Sequence, residues 1–434
     1  MFSKSINNYF LILFSFIPIS FVLGSSISLI NILLIDISFL FLLFYLKDFS
    51  FFKNKSLQYL AVFYIYLIFN SFISVDPFIG ISRNLGFLRI IILFVAINFF
   101  FKDEKFLKKV LFVWIATIII ILIDVNLESF TGENILGYGS LYGRRIVSFF
   151  KDEPIVGGYI NAYFLIIIGF LNYKFGDRNR NIILLFSLLI LMSILLTGER
   201  SNSIRALLGF LFFYAYFKEY KIKHKLFILI GSFFVLTSIV LSSDFLKLRY
   251  FSQIKSLVLD NKIYLNHYKS GYNVFKENKF FGVGNKNYRV VACSKFREEA
   301  DIIIAKVGEP TEEFGSHGKK ADELIGKIEF VCTTHSHQIF LELLSEHGIV
   351  GSIIVLFLIY KLILSKLIFR IKDLNYVQIG SGIYITLIFL PFIPSGSFFN
   401  SNSITLFTIN LGIFYALNPK FNIFLNSKKD KLQN

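Results

Sequence analysis

This chain of 434 residues is poor in sulfur, in tryptophan and in charge: two Cys, two Met, one Trp, and only 17% Asp, Glu, Lys and Arg. Each shortage removes a reading. The cysteines, Cys293 and Cys332, fit no standard metal spacing with the nearby histidines His317, His335 and His337, and no metal-type cluster of carboxylates falls within the apolar runs. No internal repeat is visible, which argues against the repeat-built transporter folds. No small-x-small cleavage site follows the first apolar run, so that run is expected to stay in the protein. The scarcity of Met and Trp beside 55 Phe is compositional bias and carries no mechanism.

What is present is apolar. Hydrophobic residues make up 55% of the chain and mean hydropathy is +0.64. They fall into twelve runs, at about 8–24, 27–46, 58–75, 84–101, 110–125, 154–173, 182–197, 203–218, 226–242, 348–365, 376–393 and 403–417. Runs of this length suit a bilayer core. Backbone polar groups in lipid must be satisfied internally, so these segments are expected to be helices. The expected fold class is an all-α polytopic membrane protein with about twelve transmembrane helices.

Charge sets the expected orientation. With Lys4 in the cytoplasm, the alternate connections on that side hold 23 basic and 7 acidic residues, leaving 22 of each elsewhere. The formal excess of +16 therefore lies on one face. This is a topology signal, with some attraction to anionic membrane lipids, and not a nucleic-acid footprint. It places both termini in the cytoplasm. The expected organisation is helices 1–9 with short loops over 1–242, one large outer loop over 243–337 between helices 9 and 10, a motif helix with helices 10–12 over 338–418, and a basic cytoplasmic tail over 419–434.

A loop as long as 243–337 is uncommon without structure or function. Tyr264 to Phe275 reads as an amphipathic helix, Lys279 to Gly284 as a turn, and Glu298 to Ala321 as a polar, mobile section. Both cysteines lie in this loop, where an oxidising compartment makes a Cys293–Cys332 disulfide a candidate. Two separate buried thiols are the alternative.

Five places on the outer side set cations or imidazoles beside apolar runs, where positive charge is usually depleted. Arg144 and Arg145 precede Asp152, Glu153 and Pro154. They read as an anion clamp, since a guanidinium grips phosphate oxygens bidentately, or as an interfacial ion pair with Asp152 or Glu153. Arg200 follows Thr197-Gly198-Glu199, and Arg205 lies a turn deeper. Charge at that depth is costly and points to function, the alternative being a Glu199–Arg205 pair. Arg83 and Arg89 stand at and inside the fourth run. His267 lies on the amphipathic helix, ahead of Lys286 and Arg289, and is as readily a packing residue. Gly282 and Gly284 read as a turn sooner than a phosphate cradle. Last, His335 and His337 precede a long apolar run, and histidine transfers protons near neutral pH. Two residues apart, they point in different directions. Glu342 and Glu346, farther along that helix, read as packing or pairing residues.

These segments resemble the O-antigen ligase and polymerase superfamily of bacterial envelope glycan transferases. The family shows His, then Asn, Ser or Gln, nine residues, and Gly-x-x-Gly; here these are His337, Gln338, Gly348 and Gly351. Phe281 to Arg289, Thr197 to Arg200 and Arg145 to Glu153 resemble further family segments, with Ser148 where glycine is expected. The resemblance implies a metal-independent glycosyltransferase that uses no nucleotide sugar and no cofactor. Its donor would be an undecaprenyl-diphosphate-linked glycan. Its acceptor would be a lipid A–core sugar for a ligase, or the next lipid-linked repeat for a polymerase. By the same resemblance His337 is the base, and Arg200, with Arg145, Arg289, Arg205 and Arg89 as further candidates, binds the diphosphate. His335 and His267 are possible site residues. The implied location is the inner membrane, with the site on the periplasmic side. A lipid-linked glycan flippase is the alternative from another class, and a scaffold without chemistry is a third.

Overall fold

The computed structural model describes residues 4–139, 145–151, 153–217, 220–252, 263–307 and 329–424. Arg144, Asp152, His317 and residues 425–434 of the expected tail lie outside the described residues. Sixteen α-helices are used below: α1 Lys4–Leu23, α2 Ser25–Leu46, α3 Lys55–Phe72, α4 Pro77–Leu85, α5 Phe87–Phe100, α6 Glu104–Thr131, α7 Val156–Leu196, α8 Arg200–Tyr216, α9 Ile222–Ser242, α10 Asp244–Lys247, α11 Ile263–Glu277, α12 Tyr288–Val307, α13 Ile339–Ile359, α14 Ser365–Arg370, α15 Tyr376–Ile388 and α16 Ser401–Ala416. No strand occurs among the described residues.

Among the described residues, eight helices are long and apolar enough to cross a membrane: α1, α2, α4 with α5, α6, each arm of α7, α9, and α13 with its extension to Asp373. The other four expected spans are also helical. α8, α15 and α16 are only 17, 13 and 16 residues long, and α3, at 18, is less apolar. The shortfall has a physical reason at α15 and α16. Most residues of both are buried against other helices, so neither needs a full lipid-facing surface.

Helix α7 is two helices. Straight, its 41 residues would extend about 60 Å. Yet Gly157 N, at its start, donates to the Glu199 carboxylate just past its end, at 2.6 Å. The chain therefore reverses at Asn179, whose φ of −121° and ψ of 24° break the helix. The arms Val156–Gly176 and Arg178–Leu196 are the sixth and seventh expected spans.

Some buried polar groups inside the bundle find specific partners. Pro18, inside α1, lacks the N–H that would reach the Phe14 carbonyl one turn earlier. The indole N–H of Trp114, from α6, donates to that carbonyl at 2.9 Å. Tyr159 Oη donates to the Pro18 carbonyl at 2.9 Å. The lone tryptophan thus repairs a proline break where water cannot.

The large loop has its own small core of Val274, Val283, Tyr288, Ala292 and Phe330. The expected amphipathic helix is α11. The expected polar, mobile section needs correction at its start, because α12 continues through Glu298 to Val307. Tyr288 and Ala292 anchor α12 in the small core, and a run of good helix formers extends it. The remainder of that section, 308–328, lies outside the described residues. Cys293 and Cys332 form a disulfide, which ties α12 to the segment entering α13.

Candidate functional site

The motif that closes the large loop is a device for presenting His337. His337 has a φ of +57°, in the left-handed region, a conformation that costs a non-glycine residue about 1–3 kcal/mol and needs outside support. The support is local. The His337 carbonyl accepts from Ser395 N at 2.9 Å. The next residue, Gln338, is the N-cap of α13, its side chain accepting from Leu341 N at 2.7 Å. Gly348 then breaks α13 at φ +63° and ψ −164°. Into that break fits the turn of the large loop. Val283 N donates to Ser345 O, Gly284 N to Glu346 O and Ile349 N to Lys279 O, each at 2.9 Å, and Val350 N to Phe280 O at 3.1 Å. A Cβ on Gly348 would overlap the Phe280 carbonyl, and one on Gly351 the Tyr66 hydroxyl. Gly282 and Gly284 are thus a turn: Gly282 N donates to the Asn278 carbonyl at 3.0 Å and Gly284 N to α13, so neither is free for a phosphate.

His337 looks into a cavity of about 930 Å³. Its walls come from the N-terminal ends of α7, α8, α13 and α16, from α4, from residues 145, 150, 153 and 155, from Arg249 and Tyr264, and from residues 286, 289 and 394–400. Helix N-termini carry partial positive charge, so four of them at one end favour an anion there. Among the described residues the cations Arg83, Arg145, Arg200, Arg205, Arg249, Lys286 and Arg289 line it, against two carboxylates, Glu153 and Glu199. His335 lines it too.

Several of these cations are placed by identifiable contacts. Glu199 accepts from Gly157 N, Gly158 N and Asn202 Nδ2 at 2.6, 3.0 and 2.7 Å, which joins the starts of α7 and α8 and sets Arg200 at the first turn of α8. The Glu199–Arg205 pair considered above does not form; Arg205 Nη2 donates to the Pro394 carbonyl at 3.4 Å. The segment bearing Arg145 is held by α6. Glu128 accepts from Val147 N and Ser148 N at 3.0 and 2.6 Å, and Ser148 Oγ meets Asp124 at 2.5 Å. Ser148 has a φ of +49°, the backbone that explains why glycine is expected there. Arg249 donates to the Gly198 carbonyl at 3.0 Å. Lys286 contacts Ser397 and lies 3.7 Å from Glu342, which also accepts from Ser397 Oγ and Phe398 N. Glu342 therefore does pair, and it fixes one cavity wall.

Residues 185–356 match the family model described as O-Antigen ligase. The match covers less than half of the chain and supports its likeness to the O-antigen ligase superfamily. No curated protein matched it. The matched region runs from the second arm of α7 into α13 and includes Arg200, Arg205, Arg249, His267, Arg289, His335 and His337; Arg83 and Arg145 come to the same cavity from outside it. The match supports an O-antigen ligase- or polymerase-like membrane enzyme.

The electrostatics of this O-antigen ligase-like site favour an anion beside a neutral base. Arg145 Nε, Arg200 Nη1 and Arg205 Nε are buried without a hydrogen-bond partner, and such donors are costly unless an acceptor meets them. Burial, with Arg200 and Arg145 beside it, holds the Arg249 guanidinium below its usual range. Burial, then the neighbouring His335, pushes His337 down to about 4. Burial, then Lys286, does the same to His335, and burial with His337 does so to His267. All three imidazoles are neutral at pH 7, the state in which a ring nitrogen can accept a proton. His335 and His267 flank His337 with ring centroids 4.2 and 4.5 Å away. Nδ1 of His335 is 2.9 Å from Thr334 Oγ1 and Nε2 is 3.3 Å from the Ser395 carbonyl, so Nε2 carries the proton.

Of the candidates, Arg145, Arg200, Arg205, Arg289, His335 and His337 line one cavity, and His267 abuts it. Arg89 does not line it. Its Nη2 donates to Ser401 Oγ at 2.7 Å, behind the wall. Cys332, weighed as a metal ligand, is bonded to Cys293. Sequence reasoning missed Arg249 and the serines of 395–397. Arg249 did carry a signal: it is a basic residue just past the ninth apolar run, on the expected outer side, where positive charge beside an apolar run is usually depleted.

Proposed function

We propose that this protein transfers an undecaprenyl-diphosphate-linked, O-antigen-type glycan to a hydroxyl of a lipid acceptor, at the periplasmic face of the bacterial inner membrane with both termini cytoplasmic. The observation that carries this reading is one cavity in which partnerless guanidinium nitrogens meet a neutral, backbone-strained histidine. The acceptor oxygen attacks the anomeric carbon of the donor sugar. The bond from that carbon to the diphosphate oxygen breaks, and its electron pair leaves with the lipid diphosphate. His337 takes the acceptor's hydroxyl proton and later releases it to solvent. Arg145, Arg200 and Arg205 meet the charge that develops on the diphosphate. Fixed donors of this kind are worth about 10²–10³ in rate each. On this reading the reaction uses no metal, cofactor or nucleotide sugar, and the ligase acceptor is lipid A–core.

His337→Ala should abolish glycan transfer while membrane insertion is retained; full activity in that variant overturns the base assignment. Gel analysis of surface polysaccharide from cells lacking the protein separates two acceptors. Loss of all glycan on lipid A–core supports the ligase reading, and a single attached repeat supports a polymerase that extends lipid-linked repeats. Unchanged polysaccharide refutes both. A flippase is disfavoured because the cavity gathers helix N-termini at one end of the bundle, whereas alternating access places its site near the midplane.

A further inference from the structure

One short stretch of chain joins the histidine base to a cation of the cavity. Arg205 Nη2 donates to the Pro394 carbonyl at 3.4 Å. The next residue, Ser395, donates its N–H to the His337 carbonyl at 2.9 Å, and its own carbonyl lies 3.3 Å from His335 Nε2. Consecutive Cα atoms are only about 3.8 Å apart. A guanidinium that meets the leaving diphosphate and the base that meets the acceptor hydroxyl therefore touch adjacent residues. The reacting sugar must lie between those two groups, because its anomeric carbon is bonded to the leaving oxygen and attacked by the acceptor. The chain beside that place is 394–403, and all ten of its residues line the cavity.

This wall differs in chemistry from the cationic one. It holds four serines, two asparagines and no charged residue. Hydroxyl and amide groups both donate and accept, as sugar hydroxyls do, whereas arginine only donates. Three of the six are committed to the protein. Ser397 Oγ donates to Glu342 at 2.5 Å, Ser401 Oγ accepts from Arg89 at 2.7 Å, and Asn400 Oδ1 accepts from Asn402 N at 3.0 Å. These bonds hold the wall from behind. The other three are left for the cavity. Ser395 Oγ is buried without a hydrogen-bond partner, a costly state unless a ligand meets it. The side chains of Asn402 and Ser403 have no partner among the described residues.

Gly396 sits in the middle of this wall, between the anchored Ser395 and Ser397. Its backbone lies outside the left-handed region, and an added Cβ would meet no atom within 4 Å. Gly348 and Gly351 are glycine because the protein packs against them; Gly396 faces open space. A side chain there would displace what fills the cavity, and not a part of the protein.

We propose that Gly396, Ser395, Asn402 and Ser403 form the subsite for the donor sugar joined to the diphosphate, and that Gly396 sets how bulky a sugar is admitted beside His337. The ligand class is a neutral, hydroxyl-rich sugar ring. This inference rests on the transferase reading and adds to it the wall that selects the sugar.

The test is binding to the full-length protein in lipid nanodiscs, with two probes and undecaprenol as the uncharged control. One probe is undecaprenyl diphosphate, which carries no sugar, and the other is undecaprenyl-diphosphate-linked N-acetylglucosamine. The wild-type protein should bind both. Gly396→Ala and then Gly396→Leu should weaken the sugar-bearing probe progressively, by at least about 10-fold for leucine. Affinity for the bare diphosphate should stay unchanged, which also shows that the variants are folded. The Asn402→Ala, Ser403→Ala double variant, which adds no bulk, should show the same selective loss. Binding of neither probe by the wild-type protein above the control would overturn the transferase reading itself. Wild-type binding of the bare diphosphate alone, or variants that hold both probes as the wild type does, would overturn only the sugar subsite. Equal loss of both probes in the leucine and the double variant would also overturn it, and would assign the wall to the diphosphate.

Discussion

Gly348→Ala is the sharpest test of how the site is assembled. At φ +63° and ψ −164°, Gly348 occupies backbone that an alanine tolerates poorly, at a cost of about 1–3 kcal/mol. An added Cβ overlaps the Phe280 carbonyl and lies 2.6 Å from Gly282 N, so backbone must shift. Overpacking of that kind costs about 1–3 kcal/mol more. The shift also threatens the Ile349 N to Lys279 O and Val350 N to Phe280 O bonds, about 1 kcal/mol each. The total is about 4–8 kcal/mol if both bonds are lost, a large share of a typical folding stability. The variant should therefore yield little monodisperse protein in detergent and melt well below wild type. Gly351→Ala should cost less, since its backbone stays helical and one obstacle is the end of the Tyr66 side chain. The measurements are thermal unfolding of the solubilised protein and turnover per folded molecule. A Gly348→Ala protein with wild-type melting and no turnover would mean that the glycine acts in the chemistry. Wild-type values in both would refute the stitch between α13 and the loop turn.

Three further outcomes follow from the same geometry. Arg200→Lys should lose at least about 10-fold in turnover, because an ammonium cannot replace a bidentate fork; wild-type turnover would reduce Arg200 to an anchor. For pH, His337 is pushed down to about 4 from an ordinary value of 6.5, so on acidification it stays neutral until pH approaches 4. kcat/KM should therefore show no loss centred at 6.5, and an acid limb there that vanishes in His335→Ala would assign the titration to the wrong imidazole. In spheroplasts, Cys293 and Cys332 should resist alkylation until a reductant is added, and labelling without reductant would refute the disulfide.

Much of the helical layout is legible in the chain because lipid and helix geometry act locally. Each of the twelve apolar runs is helical, the reversal between the sixth and seventh falls among Lys174, Arg178 and Arg180, and the amphipathic segment Tyr264–Phe275 is helix α11. The histidine motif is legible for the same reason. Gln338 is a helix cap, and Gly348 and Gly351 are close approaches, each written in a few adjacent residues. The length of α12 was not legible, since a polar surface run reads alike as loop and as the exposed face of a helix.

Sequence by itself determined which residues are expensive where they stand. A charge or imidazole beside an apolar run is costly whatever the fold, so Arg145, Arg200, Arg205 and His337 stand out from one string. It could not determine which of them share a cavity. Arg89 is as costly as Arg200 by position, yet it turns to Ser401 behind the wall, while Arg249 and Arg83 arrive from segments with no shared motif. That choice depends on contacts between residues far apart in the chain, such as Glu199 with Gly157, Asn287 with Asp76, and Ser395 with His337. Hydrogen bonds of that kind form only once the helices have packed, and they alone decide where the charges meet.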